Sequence, residues 1–470
     1  MPSWGPRYAA RPGEGMQRAQ PHGGEGRVGV GGHLRALFAL AVPAIAAQLG
    51  SMLLMVVDVA MLGRVSVEAL DAAALGRVWI WGTIVFGMGL VFGIDPIATQ
   101  AFGAGDRARL DRSLGSGLAI ALLASAPIGA LWLAAGPFLR LLGQSPDLAS
   151  EAQRFVLAQL PGLPFLLVFL AAKQYQQAQQ IVLPAMWITF AGNAINVFLN
   201  WLLIFGHWGL PALGVVGAGL ATSMTHAFLA GAILLWMRRR GGPASWRRAW
   251  REGWERSALR EAWRYGVPVG VQLGLEVWAF QVATLMTGRL GLVELAAHTA
   301  ALTICSITFM MPLGVSLAAV VRVGNLIGAR TPREAQRAAW VALAAGGAVM
   351  ALSGLTFLLA RFQLPRLFTA DPAVIAAAAA ILPVAAAFQV FDGVQVVGGG
   401  VLRGMGQTRP AAIFNLLGYY GLALPLAWWL AFRLELGLRG IWWGLALGLA
   451  TVAVMLVLWI WRFGPDPRRT

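Results

Sequence analysis

Residues 265–288 read YGVPVGVQLGLEVWAFQVATLMTG, and Glu276 is the one charge among them. Eleven uncharged residues precede it within that run and twelve follow. A helix of this length, rising ~1.5 Å per residue, crosses the ~30 Å hydrocarbon core of a bilayer. A carboxylate at that depth costs roughly 2.5–3.5 kcal/mol on insertion scales, so an acid kept there points to a function. Two more acids stand the same way. Asp58 closes the uncharged run 36–57, and Asp392 separates the uncharged runs 373–391 and 393–402. Three isolated membrane carboxylates imply a coupled transporter.

The whole chain fits a protein dissolved mostly in lipid. Its 470 residues are 58% hydrophobic and only 12% charged, with a mean hydropathy of +0.68 and 20 Trp. A soluble chain carries about 25% charged residues. The net charge of +16 does not imply a nucleic-acid partner, because the basic residues gather in every second loop rather than on one face. The single Cys305 lies in an apolar stretch and excludes a disulfide framework or a cysteine metal site. No P-loop, HExxH or GxSxG signature is present, so neither ATP-driven pumping nor soluble-type catalysis is indicated, and no cofactor is expected.

Apolar segments long enough to span occur near 36–62, 75–100, 114–136, 155–172, 184–206, 213–237, 265–288, 296–327, 338–360, 373–401, 411–432 and 438–461. The expectation is an all-α membrane protein of twelve transmembrane helices. Residues 1–33 are rich in Gly, Pro and Arg and read as a disordered cytoplasmic tail, with Met16 an alternative start. Residues 34–237 form a first lobe, 238–264 a cytoplasmic linker, 265–461 a second lobe and 462–470 a short cytoplasmic tail. The loops assigned to the inner side, with both tails and Arg35 just before the first span, hold 26 of the 36 basic residues, so both termini are expected in the cytoplasm. Within the linker, Trp246, Trp250 and Trp254 recur every four residues and suggest a helix in the headgroup layer.

The two lobes repeat. At an offset of 225 residues Val42-Pro43 matches Val267-Pro268, Gly63-Arg64 matches Gly288-Arg289, Gly89 matches Gly314 and Gly103-Ala104 matches Gly328-Ala329. Six spans per repeat is even, so both halves enter from one side and are related by a pseudo-twofold axis along the membrane normal. The cleft between them is the expected route. The acids do not repeat: Asp58 pairs with Ala283 and Glu276 with Ser51, so each lobe has its own polar site.

Around these acids lie further polar residues. Asn193, Asn196 and Asn200 share one helix face at i, i+3 and i+7; they either glue neighbouring spans or build a pocket in which the amides support Asp58 as a coupling carboxylate that gains and loses a proton or Na+. Gln272, Gln281, Gln389 and Gln395 add polarity near Glu276 and Asp392. Asp95, before Pro96, reads as a cap or helix break, His298 as an interfacial histidine and Arg322 as a side chain reaching inward to the headgroups.

These residues carry a resemblance. PxxxxQLGxxxxMxVDxxMLGR from Pro43 to Arg64, GNAINVFLNWLLIFG from Gly192, GVVGAGLAT from Gly214, and FMMPLGVSLAAVVRVGNLIGA from Phe309 resemble the multidrug and toxic compound extrusion (MATE) family. FQVFDGVQVVGGGVLRGMGQTRP, from Phe388 to Pro410, completes the likeness, which covers about residues 34–461 and favours the bacterial branch that exports cationic drugs. The resemblance implies a secondary antiporter of the bacterial inner membrane, a monomer, that exchanges H+ or Na+ for small organic, mostly cationic compounds. It implies Glu276 and Asp392 as the second lobe's cation site and Asp58, Asn196 and Asn200 as the first lobe's polar cluster. One departure stands out. Na+-binding members often place a Tyr one turn before the second-lobe Asp, and here that position is Phe388. Hard cations need several oxygen ligands, whereas a carboxylate takes a proton alone, so the departure favours H+.

Three rival readings are weighed. A lipid-linked sugar flippase of the same superfamily would commonly have two more spans and a basic cleft. A membrane-embedded enzyme would need a clustered nucleophile and base. A receptor or scaffold would have no use for unpaired membrane carboxylates.

Overall fold

The computed structural model of the chain describes residues 29–466, and among them lie twelve helices long and apolar enough to cross a membrane, with no strand. They are α1 (Val30–Leu62), α2 (Val67–Gly103), α3 (Arg107–Leu133), α4 (Pro146–Ala178), α5 (Leu183–Phe205), α6 (Gly214–Arg239), α7 (Arg256–Gly288), α8 (Leu292–Gly328), α9 (Pro332–Leu359), α10 (Pro372–Gly404), α11 (Thr408–Arg433) and α12 (Gly437–Phe463). This is a multi-pass membrane protein. The expected N-terminal tail up to residue 28 and the final residues 467–470 lie outside the described residues.

Most helices run longer than their apolar segments, because polar residues at the ends continue the helix once a side chain caps it. Ser66 Oγ accepts from the Ala69 amide at 3.0 Å, Asp106 Oδ1 from Arg109 at 2.9 Å, and Asp371 Oδ1 from Ala373 at 2.8 Å. In α2 the ladder is interrupted at Gly93 and Ile94, and a second segment, Asp95–Gly103, resumes with Pro96 in its first turn, where its missing N–H is harmless.

The first six helices make one lobe and the last six the other. One core gathers Ile84, Leu114, Ile120, Phe155, Leu167, Tyr175 and Ile233 of the first lobe. A second gathers Ala283, Ile304, Phe388, Tyr419, Trp442 and Leu445 of the second. A third crosses over, seating Leu37, Leu40 and Ala41 of α1 against Val315, Ala318 and Ala319 of α8 and Val401 and Leu402 of α10.

The contacts between lobes obey the internal repeat. Gly103 packs on Asn325, where an added Cβ would come 2.8 Å from the Asn325 Cα; 225 residues on, Gly328 packs on Gln100, where 325 − 225 = 100. Gly89 packs on Val269 and Gly270; its repeat mate Gly314 packs on Ile45, where 270 − 225 = 45. Contacts that exchange in this way define a twofold relation. Because both repeats cross in the same direction, its axis runs along the membrane normal. Small residues at the crossings let backbones touch, which is how membrane helices gain packing contact.

The linker holds a short helix, Trp246–Gly253, capped by Ser245. Its Ala249 and Gly253 rest on Gly115 of α3, Trp246 packs half-buried against the first-lobe core, and only Trp250 and Trp254 of the three tryptophans face out.

Candidate functional site

In the second lobe α7, α10 and α11 converge on the two acids. Gln395 Nε2 donates to Glu276 Oε2 at 3.2 Å, and Asn415 Nδ2 donates to the same oxygen at 3.4 Å. Asn415 Nδ2 also reaches the Gln272 carbonyl at 3.4 Å. Asp392 is buried, only 4% exposed, and its carboxylate takes no hydrogen bond among the described residues. Its charge and that of Glu276 act on each other. No arginine or lysine is among the groups acting on either acid. Gln389 turns away from them and donates to Thr308 Oγ1 of α8.

The first lobe is built differently. Asn200 Nδ2 donates to Asp58 Oδ1 at 2.5 Å, Thr222 Oγ1 of α6 to Oδ2 at 3.2 Å, and Asn200 also donates to Asn196 Oδ1 at 3.0 Å. Arg77 of α2, over the Phe155 ring at 5.7 Å, acts on Asp58 with its positive charge. Asn193 is not part of this cluster; its Nδ2 donates to the Gly50 carbonyl at 2.7 Å and ties α5 to α1. The three asparagines therefore divide, one to helix glue and two to the acid.

A third acid bridges the lobes. Asp95 Oδ2 meets Arg403 of α10 at 3.4 Å, and Gln174 Nε2 donates to its Oδ1 at 2.7 Å. The helix does break in front of Asp95, but the carboxylate does not cap it. Arg403 also lies over Phe92 at 5.5 Å. Nearby, Lys173 Nζ donates to Gln48 Oε1 of α1 at 3.2 Å. Both cations read from the sequence as inner-loop charges; the structure buries them, Arg403 at 7% and Lys173 at 6% exposure. His298 is likewise buried rather than interfacial, with Nε2 3.1 Å from Thr284 Oγ1.

Sequence reading misses Arg77, Thr222, Asn415 and Tyr419. For Arg77 the signal is present, since it is the one charge between Asp71 and Asp95. Asn415 and the Tyr419–Tyr420 doublet are polar groups in the otherwise apolar middle of α11, and only five Tyr occur in the chain.

Two stretches of this chain match the MatE family model, residues 43–202 and 268–429. They begin 225 residues apart, the offset of the internal repeat. The chain belongs to the MatE family. Among its relatives, the probable multidrug resistance protein NorM of Bradyrhizobium diazoefficiens is 37% identical over 89% of this chain and 91% of its own length. The multidrug resistance protein NorM of Burkholderia vietnamiensis is 35% identical over 90% and 92%. Among solved structures, the eukaryotic MATE transporter AtDTX14 superposes with a TM-score of 0.83 at 25% identity, covering 95% of this chain and 96% of that one. An outward-facing MATE transporter gives a TM-score of 0.84 at 20% identity, over 91% and 95% of the two chains. As in these MatE folds, the chain is two six-helix lobes.

Proposed function

We propose that this MatE protein is a multidrug efflux antiporter, exporting small organic, mostly cationic compounds in exchange for H+ or Na+ through the Glu276–Asp392 site. The observation that carries this is an asymmetry of charge. Asp95 is paired with Arg403, and Asp58 lies in the field of the buried Arg77 guanidinium, so each has a fixed positive charge acting on it within the fold. Around Glu276 and Asp392 lie amides, the Tyr419 hydroxyl, the Cys305 thiol and aromatic rings, with no cationic side chain acting on either acid, and the charge of Glu276 acts on Asp392. Two buried carboxylates of one lobe, one feeling the charge of the other and neither with a fixed counter-charge, call for a mobile cation. The NorM names of the relatives support efflux of drugs as the work driven by that cation.

In this reading Asp58, held by Asn200 and Thr222 in the field of Arg77, ties α1 to α5 and α6, and the exchanging ion is confined to the second lobe. The protein works as a monomer in the bacterial inner membrane with both termini in the cytoplasm, supported by the Arg-rich loops on the side of the termini. The test is drug accumulation in cells expressing wild type or Glu276→Gln at equal levels. The reading expects accumulation in the variant to match cells without the protein; full efflux by the variant would contradict it.

A further inference from the structure

Three helices of the second lobe each present a polar residue and a ring one turn apart: Glu276 and Phe280 on α7, Asp392 and Phe388 on α10, Asn415 and Tyr419 on α11. α7 and α11 run in one direction and α10 in the other, so all three rings lie on the same side of the polar layer. The rings meet: Phe280 is 6.1 Å from Phe388 and 6.0 Å from Tyr419, centroid to centroid. Trp442 of α12 extends the layer at 6.1 Å from Phe388. The acid pair therefore lies beneath an aromatic cap.

One ring of that cap carries a hydroxyl. Tyr419 is fully buried at 0% exposure, and its hydroxyl has no hydrogen-bond partner among the described residues. A buried phenol normally finds one. The charges of both Glu276 and Asp392 act on it. Around it the backbone departs from the α-helix: Leu416–Ala423 is wound as a π-helix, a form that in other proteins marks functional sites and re-aims side chains. The amide oxygens of Gln395 and Asn415 are also without partners, although their nitrogens hold Glu276.

We propose that the Tyr419 hydroxyl is the phenolic ligand of the cation that binds between Glu276 and Asp392. The proposal rests on the exchange site described above. It replaces the phenol that position 388 lacks: the oxygen arrives from α11 instead of α10. Two buried carboxylates, an unpartnered phenol on which both of their charges act, and amide oxygens without partners form a set that suits a hard monovalent cation such as Na+.

The test is Na+ binding to purified full-length protein in detergent by isothermal titration calorimetry, with no drug present. Tyr419→Phe removes one oxygen and leaves the ring, and should weaken Na+ binding by about tenfold. The double variant Tyr419→Phe/Phe388→Tyr, which returns a phenol to the cap from α10, should regain most of that loss. Glu276→Gln serves as the control for the site itself. If Glu276→Gln abolishes binding while Tyr419→Phe leaves it unchanged, the role of Tyr419 is overturned and the exchange site stands. If Glu276→Gln binds Na+ as wild type does, the exchange site fails as well. Wild-type protein that binds no Na+ would also overturn the proposal.

Discussion

Arg403 of the second lobe meets Asp95 of the first at 3.4 Å, and both side chains are buried. The pair joins the lobes at the end of the bundle where Gly103 touches Asn325 and Gln100 donates to the Gly404 carbonyl. A buried ion pair adds little net stability over an apolar one, but removing one partner strands the other and costs roughly 3–5 kcal/mol. Should this end part during transport, the pair is expected to act as a latch, intact while the lobes touch and lost when water enters.

Replacing Arg403 should therefore shift the equilibrium between conformations. In Arg403→Leu the stranded Asp95 favours a hydrated, parted interface. Spin labels on cysteines at the exposed Ala104 and Ala329, in a Cys305→Ser background, report this separation by double electron–electron resonance. The variant should gain a longer-distance population that wild type lacks. An unchanged distance distribution would show that the pair does not govern this contact.

The mutual influence of the buried Asp58 and Arg77 charges yields a stability prediction. Arg77→Met leaves Asp58 without its counter-charge, and Asp58→Asn leaves Arg77 unpaired, so each should destabilise the first lobe. The double variant should recover part of the loss, with a coupling energy of about 1–3 kcal/mol in a double-mutant cycle. Denaturant unfolding in detergent measures it. Strictly additive effects would mean that the two side chains do not sense each other.

The glycine crossings give a steric prediction. A Cβ on Gly89 would come 2.8 Å from the Val269 carbonyl carbon, and this contact is backbone that cannot rotate aside. Gly89→Val should hold the lobes apart at this crossing and reduce drug efflux while the protein still inserts and folds. Efflux assays at matched expression check it; wild-type transport would mean that α2 and α7 need not close to this distance.

Much of this architecture is legible in the sequence because lipid imposes simple rules. Length and hydropathy give the twelve spans, and the gapless 225-residue register gives the lobes and even the glycines that form their contact. Isolated acids are legible for the same reason, since Glu276, Asp58 and Asp392 each interrupt a long uncharged run. Their partners are not. Arg403 and Lys173 lie near helix ends, where a basic residue reads as a headgroup charge, and only packing reveals that they turn inward. Tyr419 is hidden for another reason. A phenol missing at Phe388 is visible in one helix, but its replacement comes from a different helix with π-helical winding, a register that heptad or 3.6-residue periodicity does not encode.

The central claim is that the exchanged cation is handled by Glu276 and Asp392 and not by Asp58. Proteoliposomes loaded with a fluorescent cationic drug measure it, with a pH gradient or a Na+ gradient imposed alone, for wild type, Glu276→Gln, Asp392→Asn and the Asp58→Asn/Arg77→Met double variant. The structure predicts that wild type exports under at least one gradient, that Glu276→Gln and Asp392→Asn fall to the level of empty liposomes under both, and that the first-lobe double variant retains gradient-driven export. Export by Glu276→Gln at the wild-type rate, or its loss only in the first-lobe variant, would contradict the account.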